Sequence, residues 1–307
     1  MKKSICLLLA ILLLAGTAAA AFAEEDTSAF RVAAPSGAPA LALAVLAAEN
    51  PEDYSFVAAE TIAAEFANET ADFIIAPINA GAKLYKAGKS DYRLAAVVSW
   101  GNLYFASQRE NFQAEDINGA EIVLFGENTI NASVALYALE KNGIIPAKVD
   151  YLAGAANTQT LLLTDETAIV LTAEPALTAA GIKNECVSGF AVNALLEKAA
   201  GLDGFAQAGL FVREKTLVEQ PEAVKAYLAK AEEAVSRCTE DPDAVAEAAV
   251  ALEILPNIKV AKSALPNCAI RYVSAAEAKE QIEQTAEIDL SQFGGAVPTD
   301  DFYYAAE

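Results

Sequence analysis

Histidine is absent from the 307 residues, and cysteine (4), methionine (1) and tryptophan (1) are scarce. Without imidazole there is no Ser-His-Asp triad and no histidine acid-base chemistry, and with no Cys-x-x-Cys pair most zinc sites are excluded as well. The chain has no G-x-G-x-x-G and no phosphate loop with its following lysine, which argues against nucleotide binding. Basic residues are also short: 21 Lys and Arg stand against 42 Asp and Glu, a net charge of −21. That field disfavours nucleic acid and anionic membrane surfaces. No metal, cofactor or catalytic constellation is expected from these counts, so the chain does not read as an enzyme.

What is present begins with an export signal. Lys2 and Lys3 precede the apolar ICLLLAILLLAG, and Ala21-Phe22-Ala23 supplies a small-residue cleavage site before Glu24. The apolar core is shorter than the roughly 20 residues that a spanning helix needs. Residues 1–23 are therefore expected to be a signal peptide, leaving no later span. Leu14-Ala15-Gly16 is followed by Thr17 where a lipoprotein would carry cysteine, and Cys6 lies too early, so no lipid tether is expected. Of the cysteines beyond the leader, Cys238 and Cys268 lie at element edges in the C-terminal third and form the expected disulfide, with Cys186 left over.

A strand-turn-helix plan recurs. The first copy has a strand at 30–34, the turn Pro35 to Ala38, and a helix from Pro39 to Asn50. The second has a strand at 72–76, the turn Pro77-Ile78-Asn79 and a helix running to Gly88. The third has a strand at 121–125, the turn Gly126 to Ile130 and a helix to Gly143. The fourth has a strand at 167–172, the turn Ala173-Glu174-Pro175 and a helix to Gly181. Two halves of two units each imply an α/β fold of two lobes with largely parallel sheets. In such sheets the turns after the strands gather at one edge, where helix N-termini offer free N–H groups.

Two apolar, β-rich runs, 94–108 and 205–217, lead from the first half to the second and out of it. The remainder is helical: Pro221-Glu222 opens one helix, Asp241-Pro242 caps the next, and Ser274 with Glu277 forms a capping box for a third. These pack back on the first half, which places lobe 1 at 24–106 and 209–307 and lobe 2 at 107–208, joined by two crossings that act as a hinge.

VAAPSGAPALALAVL, ADFIIAPINAGAKLYKAG, AAVVSWGNLYFAS, the Glu174-Pro175 turn and the terminal GGAVPTDDFYY together resemble the solute-binding proteins of bacterial ABC importers. They are most similar to the type 2 periplasmic binding proteins of the nitrate, taurine/sulfonate and thiamine-precursor group. The resemblance implies a type 2 periplasmic-binding-protein fold: two lobes of mixed sheets flanked by helices, with a ligand cleft between them. It further implies a monomeric, exported receptor, periplasmic or at the cell surface, that closes on a small molecule and delivers it to a membrane permease. Some relatives on this fold are enzymes that make the thiamine pyrimidine or dehydrate small acids. The pyrimidine-making branch carries a histidine and clustered cysteines, which this chain lacks. An exported sensor module is a third reading.

Several residues are candidates for the ligand. Ser36, Gly37 and Ala38 form the first turn, whose N–H groups and Ser36 hydroxyl can hold a polar group or merely cap a helix. Asn79 is either a ligand contact or an N-cap. Trp100, in Ser99-Trp100-Gly101-Asn102 at the crossing, is either core or a flat wall of the cleft, with Asn102 and Tyr104 nearby. In lobe 2, Asn128 and Thr129 bind or cap, Glu127 complements an amine, and Glu174 either meets ligand donors or sits favourably at a helix N-terminus. No Arg or Lys lies in any of the four turns, so the carboxylates and aromatics favour a neutral, planar or amine-bearing ligand such as a thiamine-precursor-like pyrimidine over a sulfonate.

Overall fold

The computed structural model describes residues 30–305, so the leader expected at 1–23 lies outside the described residues. In chain order the strands are β1 (Val32–Pro35), β2 (Tyr54–Val57), β3 (Phe73–Pro77), β4 (Tyr92–Ser99), β5 (Leu103–Ser107) and β6 (Glu121–Phe125). They continue as β7 (Lys148–Leu152), β8 (Ile169–Ala173), β9 (Ser188–Ala191), β10 (Ala208–Arg213) and β11 (Ile270–Ser274).

These strands build two sheets on one plan. The first runs β2-β1-β3-β10-β4-β11, with β1 parallel to β2 and β3, and β10 antiparallel to both its neighbours. The second runs β7-β6-β8-β5-β9, with β6 parallel to β7 and β8, and β5 antiparallel to both its neighbours. The fold is thus two lobes of mixed sheets flanked by helices. In each sheet the antiparallel intruder arrives from the other lobe: β5 enters directly from β4, and β10 returns from the second lobe. The chain leaves the first sheet after Ser99 and joins the second at Leu103, so the boundary expected at 106/107 falls inside β5.

The strand at 121–125 and the helix Ile130–Lys141 follow the expected pattern, because Thr129 caps the helix and Gly143 turns the chain at its end with a positive φ. The helix expected over 39–50 is instead broken into Ala38–Leu41 and Ala44–Glu49. Residues 40–44 are all buried, so packing on every side, not a single apolar face, sets its course.

The core follows the sheets. Helices Pro221–Glu240 and Pro242–Ala251 cover one face of the first sheet through Val224, Tyr227, Ala231, Val235 and Val245, against Phe30, Val32 and Phe73. Its other face carries Ile74, Tyr92 and Phe211 under helices Ile78–Lys86 and Ala275–Ile288. That cluster continues through Trp100, Leu103 and Phe205 into the second lobe without a break. Cys238 and Cys268 lie in the first-lobe core as free thiols, so the expected disulfide is not formed. Each thiol is directed to a carbonyl, Cys238 to Leu41 at 3.6 Å and Cys268 to Ala264 at 3.2 Å. Among the described residues no helix is long and apolar enough to cross a membrane.

Candidate functional site

The two crossings lie side by side. Gln207, one residue before β10, donates its backbone N–H to the Ser99 carbonyl (3.0 Å), and its own carbonyl accepts from Ile78 N (3.1 Å). Its side-chain Oε1 accepts from the Ser99 hydroxyl (3.1 Å) and Asn102 N (3.3 Å), while Nε2 donates to Asn131 Oδ1 (3.2 Å) on the second lobe. One carboxamide therefore ties together both crossings and the far lobe. Asn193 adds a clamp, its Nδ2 donating to the carbonyls of Trp100 and Gly101, both at 2.9 Å. Gly204 permits this approach: at φ 91° a Cβ there would stand 2.3 Å from the Trp100 carbonyl oxygen.

Beside this junction is a cavity of about 300 Å³ reached by both lobes. Pro35, Ser36, Pro39, Ala59, Pro77, Asn79 and Ala80 line it from the first lobe, and Thr129, Ile130 and Asn131 from the second. Asn102, Gln207 and Ala208 come from the crossings, and Gln292 closes the edge from the C-terminal segment. Among the described residues no charged side chain lines it. The polar groups are carboxamides and hydroxyls on apolar walls of proline, alanine and isoleucine, the mixture expected of a small-molecule site. The helices Ile78–Lys86 and Ile130–Lys141 both begin here, bringing N–H groups and the positive end of each helix dipole.

Of the expected contacts, Ser36, Asn79, Asn102 and Thr129 are brought together. Their roles differ in detail from expectation. The Ser36 N–H is already bonded to the Val57 carbonyl (2.8 Å), which leaves the hydroxyl for a ligand. Asn79 stands in the first turn of a helix that begins at Ile78, not in the turn before it; its Oδ1 is buried and has no hydrogen-bond partner among the described residues. Thr129 does cap, accepting from Ala132 N and donating to the Gly126 carbonyl. Asn102 is held by exchange with Glu174: its N–H side chain meets the Glu174 carbonyl at 2.7 Å, and its carbonyl accepts the Glu174 N–H at 3.0 Å.

The other expected residues do not line the cavity. Gly37 is the turn residue preceding the helix Ala38–Leu41, and Ala38, the first residue of that helix, is buried. Trp100 is a core residue: its indole N–H bonds to the Arg271 carbonyl (3.0 Å) and the Arg271 guanidinium stacks on its ring at 4.5 Å. Tyr104 donates to the Asn267 carbonyl (2.9 Å), away from the cavity lining; burial pushes its phenol up to about 12. Glu127 is exposed, and Asn128 contributes only its carbonyl, to Gln292 Nε2 at 2.9 Å. Glu174 is buried and caps its own helix through Thr178 N (3.1 Å) and the Thr178 hydroxyl (2.9 Å). Burial pushes its carboxyl above the usual range against those hydrogen bonds and one from Asn267.

The polar lining residues that were not anticipated, Asn131, Gln207 and Gln292, come from three distant segments. Gln207 has one local signal, a lone amide at the start of an apolar β-rich run that mirrors Ser99 to Asn102 on the outgoing crossing. Gln292 has none; it sits in the short helix Leu290–Phe293, which packs on helix Ile78–Lys86 and reaches across to Asn128. Next to it Asp289 accepts from the Ser133 hydroxyl of the second lobe at 2.7 Å.

Solved structures share this architecture at low sequence identity. An ABC transporter protein from Parabacteroides distasonis is 19% identical over 91% of this chain and 99% of its own, with a TM-score of 0.77. The periplasmic aliphatic sulphonate binding protein of Escherichia coli is 15% identical over 91% and 92%, with a TM-score of 0.68. A Candida albicans protein described as having the generic periplasmic binding protein fold is 11% identical over 89% and 92%, with a TM-score of 0.53. The chain has that periplasmic-binding-protein fold. No curated protein matches it. The sequence model of the family described as NMT1/THI5 like matches residues 68–245, more than half of the chain, and the protein belongs to that family.

Proposed function

We propose that this protein is the exported solute receptor of an ABC importer, and that it captures a small organic molecule in the cavity between its lobes. The observation that carries this reading is the cavity's position: both lobes line it, together with Gln207, which joins the two crossings. A solute held there by Ser36 and Asn79 on one side and Thr129 and Asn131 on the other bonds the lobes together. Rotation about 100–102 and 201–207 then couples binding to closure. The closed face is what a membrane permease would recognise. The leader read in residues 1–23 supports delivery outside the cytoplasm, as a free periplasmic or cell-surface protein.

Absence of a charged lining supports an uncharged ligand, such as a thiamine-precursor-like pyrimidine, ahead of a sulfonate. The carboxylates and aromatic residues first invoked for that preference lie outside the cavity; the preference now rests on carboxamides. A thermal-shift panel of pyrimidines, amides, sulfonates and nitrate, combined with small-angle scattering, tests the receptor reading. At least one member is expected to stabilise the protein and reduce its radius of gyration. Binding with no change in shape, or activity that consumes the bound compound, would overturn it.

A further inference from the structure

We propose that Gln207 is a positioning residue that fixes Asn131 as a hydrogen-bond donor, so that the cavity takes an uncharged solute presenting an amide-type carbonyl to the second lobe. This inference rests on the receptor reading and sharpens it.

The polarity follows from one obligate donor. Asn102 N can only donate, so the Gln207 atom 3.3 Å from it is Oε1, and the Ser99 hydroxyl donates to the same oxygen at 3.1 Å. The other end of the Gln207 carboxamide is then Nε2, which also can only donate. Its neighbour at 3.2 Å must be an acceptor, which sets Asn131 with Oδ1 toward Gln207. The Nδ2 of Asn131 is left over, on a side chain that lines the cavity and has no other bond among the described residues. A backbone N–H on the outgoing crossing thus dictates, through two carboxamides, which atom the second lobe offers.

The first lobe fixes no such polarity: Asn79 lines the cavity, but its Oδ1 is closed off and has no partner among the described residues, so nothing pins which end of that amide faces a ligand. A ligand suited to the second lobe presents an acceptor to Asn131. A carboxamide, lactam or ureide carries that acceptor and no net charge, which suits a lining without charged side chains. An anion offers acceptors but meets no counter-charge there. A donor-only amidinium opposes the fixed N–H of Asn131. The walls of Pro35, Pro39 and Ile130 accommodate a flat apolar remainder.

Three probes of one size separate these cases: benzamide, benzenesulfonate and benzamidine, titrated into the full chain by ligand-observed NMR. Wild type is expected to prefer benzamide by about tenfold over benzamidine, the cost of the Asn131 N–H left unpaired, and by about tenfold over benzenesulfonate, whose charge meets no counter-charge in the lining. Gln207→Met frees Asn131 to turn, and Asn131→Asp replaces the donor directly without touching the crossings. Both are expected to lower the benzamide-to-benzamidine affinity ratio by about tenfold. A merely structural role for Gln207 would weaken every probe alike and leave that ratio unchanged. An unchanged ratio in both variants, or a wild-type preference for benzenesulfonate or benzamidine, overturns the proposal. Failure of all three probes to bind at millimolar concentration overturns it as well. Benzenesulfonate binding with lobe closure would overturn this inference while leaving the receptor reading intact.

Discussion

Replacing Gly204 with alanine tests the packing of the two crossings. Gly204 is buried, with φ 91°, and a Cβ there would lie 2.3 Å from the Trp100 carbonyl oxygen and 3.1 Å from Asn193 Nδ2. The contact atom is backbone, so no rotamer change relieves it; one crossing has to move away from the other. A non-glycine residue in this region of φ costs about 1–3 kcal/mol, and the overlap adds about 1–3 kcal/mol of overpacking strain. A loss of about 2–6 kcal/mol is expected. For a chain of this size that is a fall in Tm of about 1.5–2 °C per kcal/mol. Because Asn193 bonds to both Trp100 and Gly101, the displacement should also loosen the lobes. The assay is urea unfolding of Gly204→Ala, with small-angle scattering of the folded protein. A variant within about 0.5 kcal/mol of wild type, a change ordinary for a surface site, would refute the close packing of the crossings.

Tyr92→Phe removes a buried hydroxyl that donates to the Ala71 carbonyl and should cost about 1–3 kcal/mol in urea unfolding, as that carbonyl loses its partner. Glu174→Gln should stabilise the protein at pH 7. A carboxyl whose folded pKa is raised binds more protons folded than unfolded, so wild-type stability falls as pH rises from the unfolded value through the folded one. The variant should lack that fall, and unfolding curves between pH 4 and pH 8 check it. Asp289 has the opposite sign. Burial alone would raise it, but hydrogen bonds from Ser291 and Ser133 hold it below the usual carboxylate range. Its contribution is full above the unfolded pKa and is lost as pH falls through the folded one, a slope that Asp289→Asn should remove. Thiol labelling of native protein should modify Cys186 quickly and Cys238 and Cys268 only after unfolding. Burial pushes the Cys238 thiol up to about 12, so it is not a thiolate at neutral pH.

The strands were legible where an apolar run ended in a turn signal. Glu121 to Phe125 followed by Gly126 and a capping Thr129 is such a case. The Ala-rich stretch after Pro39 was not, because a segment buried on all sides has no amphipathic period to read. The four turns pointed to a shared edge, and three of them supply the cavity. The fourth does not: Glu174 spends its carboxylate on Thr178, and its turn faces Asn267 across the other side of the junction. Trp100 and Tyr104 misled because sequence cannot distinguish a bend packed in the core from one facing a cleft. The chemistry of the site was the least visible part. Gln207, Asn131 and Gln292 meet only because β10 inserts between β3 and β4 and the C-terminal segment folds back over helix Ile78–Lys86. These are contacts of long sequence separation with no local signature.

Native mass spectrometry of the protein purified without stripping, wild type beside Ala59→Trp, tests the central claim most directly. Ala59 lines the cavity from an exposed position, so an indole there fills the space without disturbing the core. Wild type is expected to carry one small organic molecule that the variant, still folded by circular dichroism, does not retain. A ligand held equally by both proteins would place the binding site elsewhere and contradict the account.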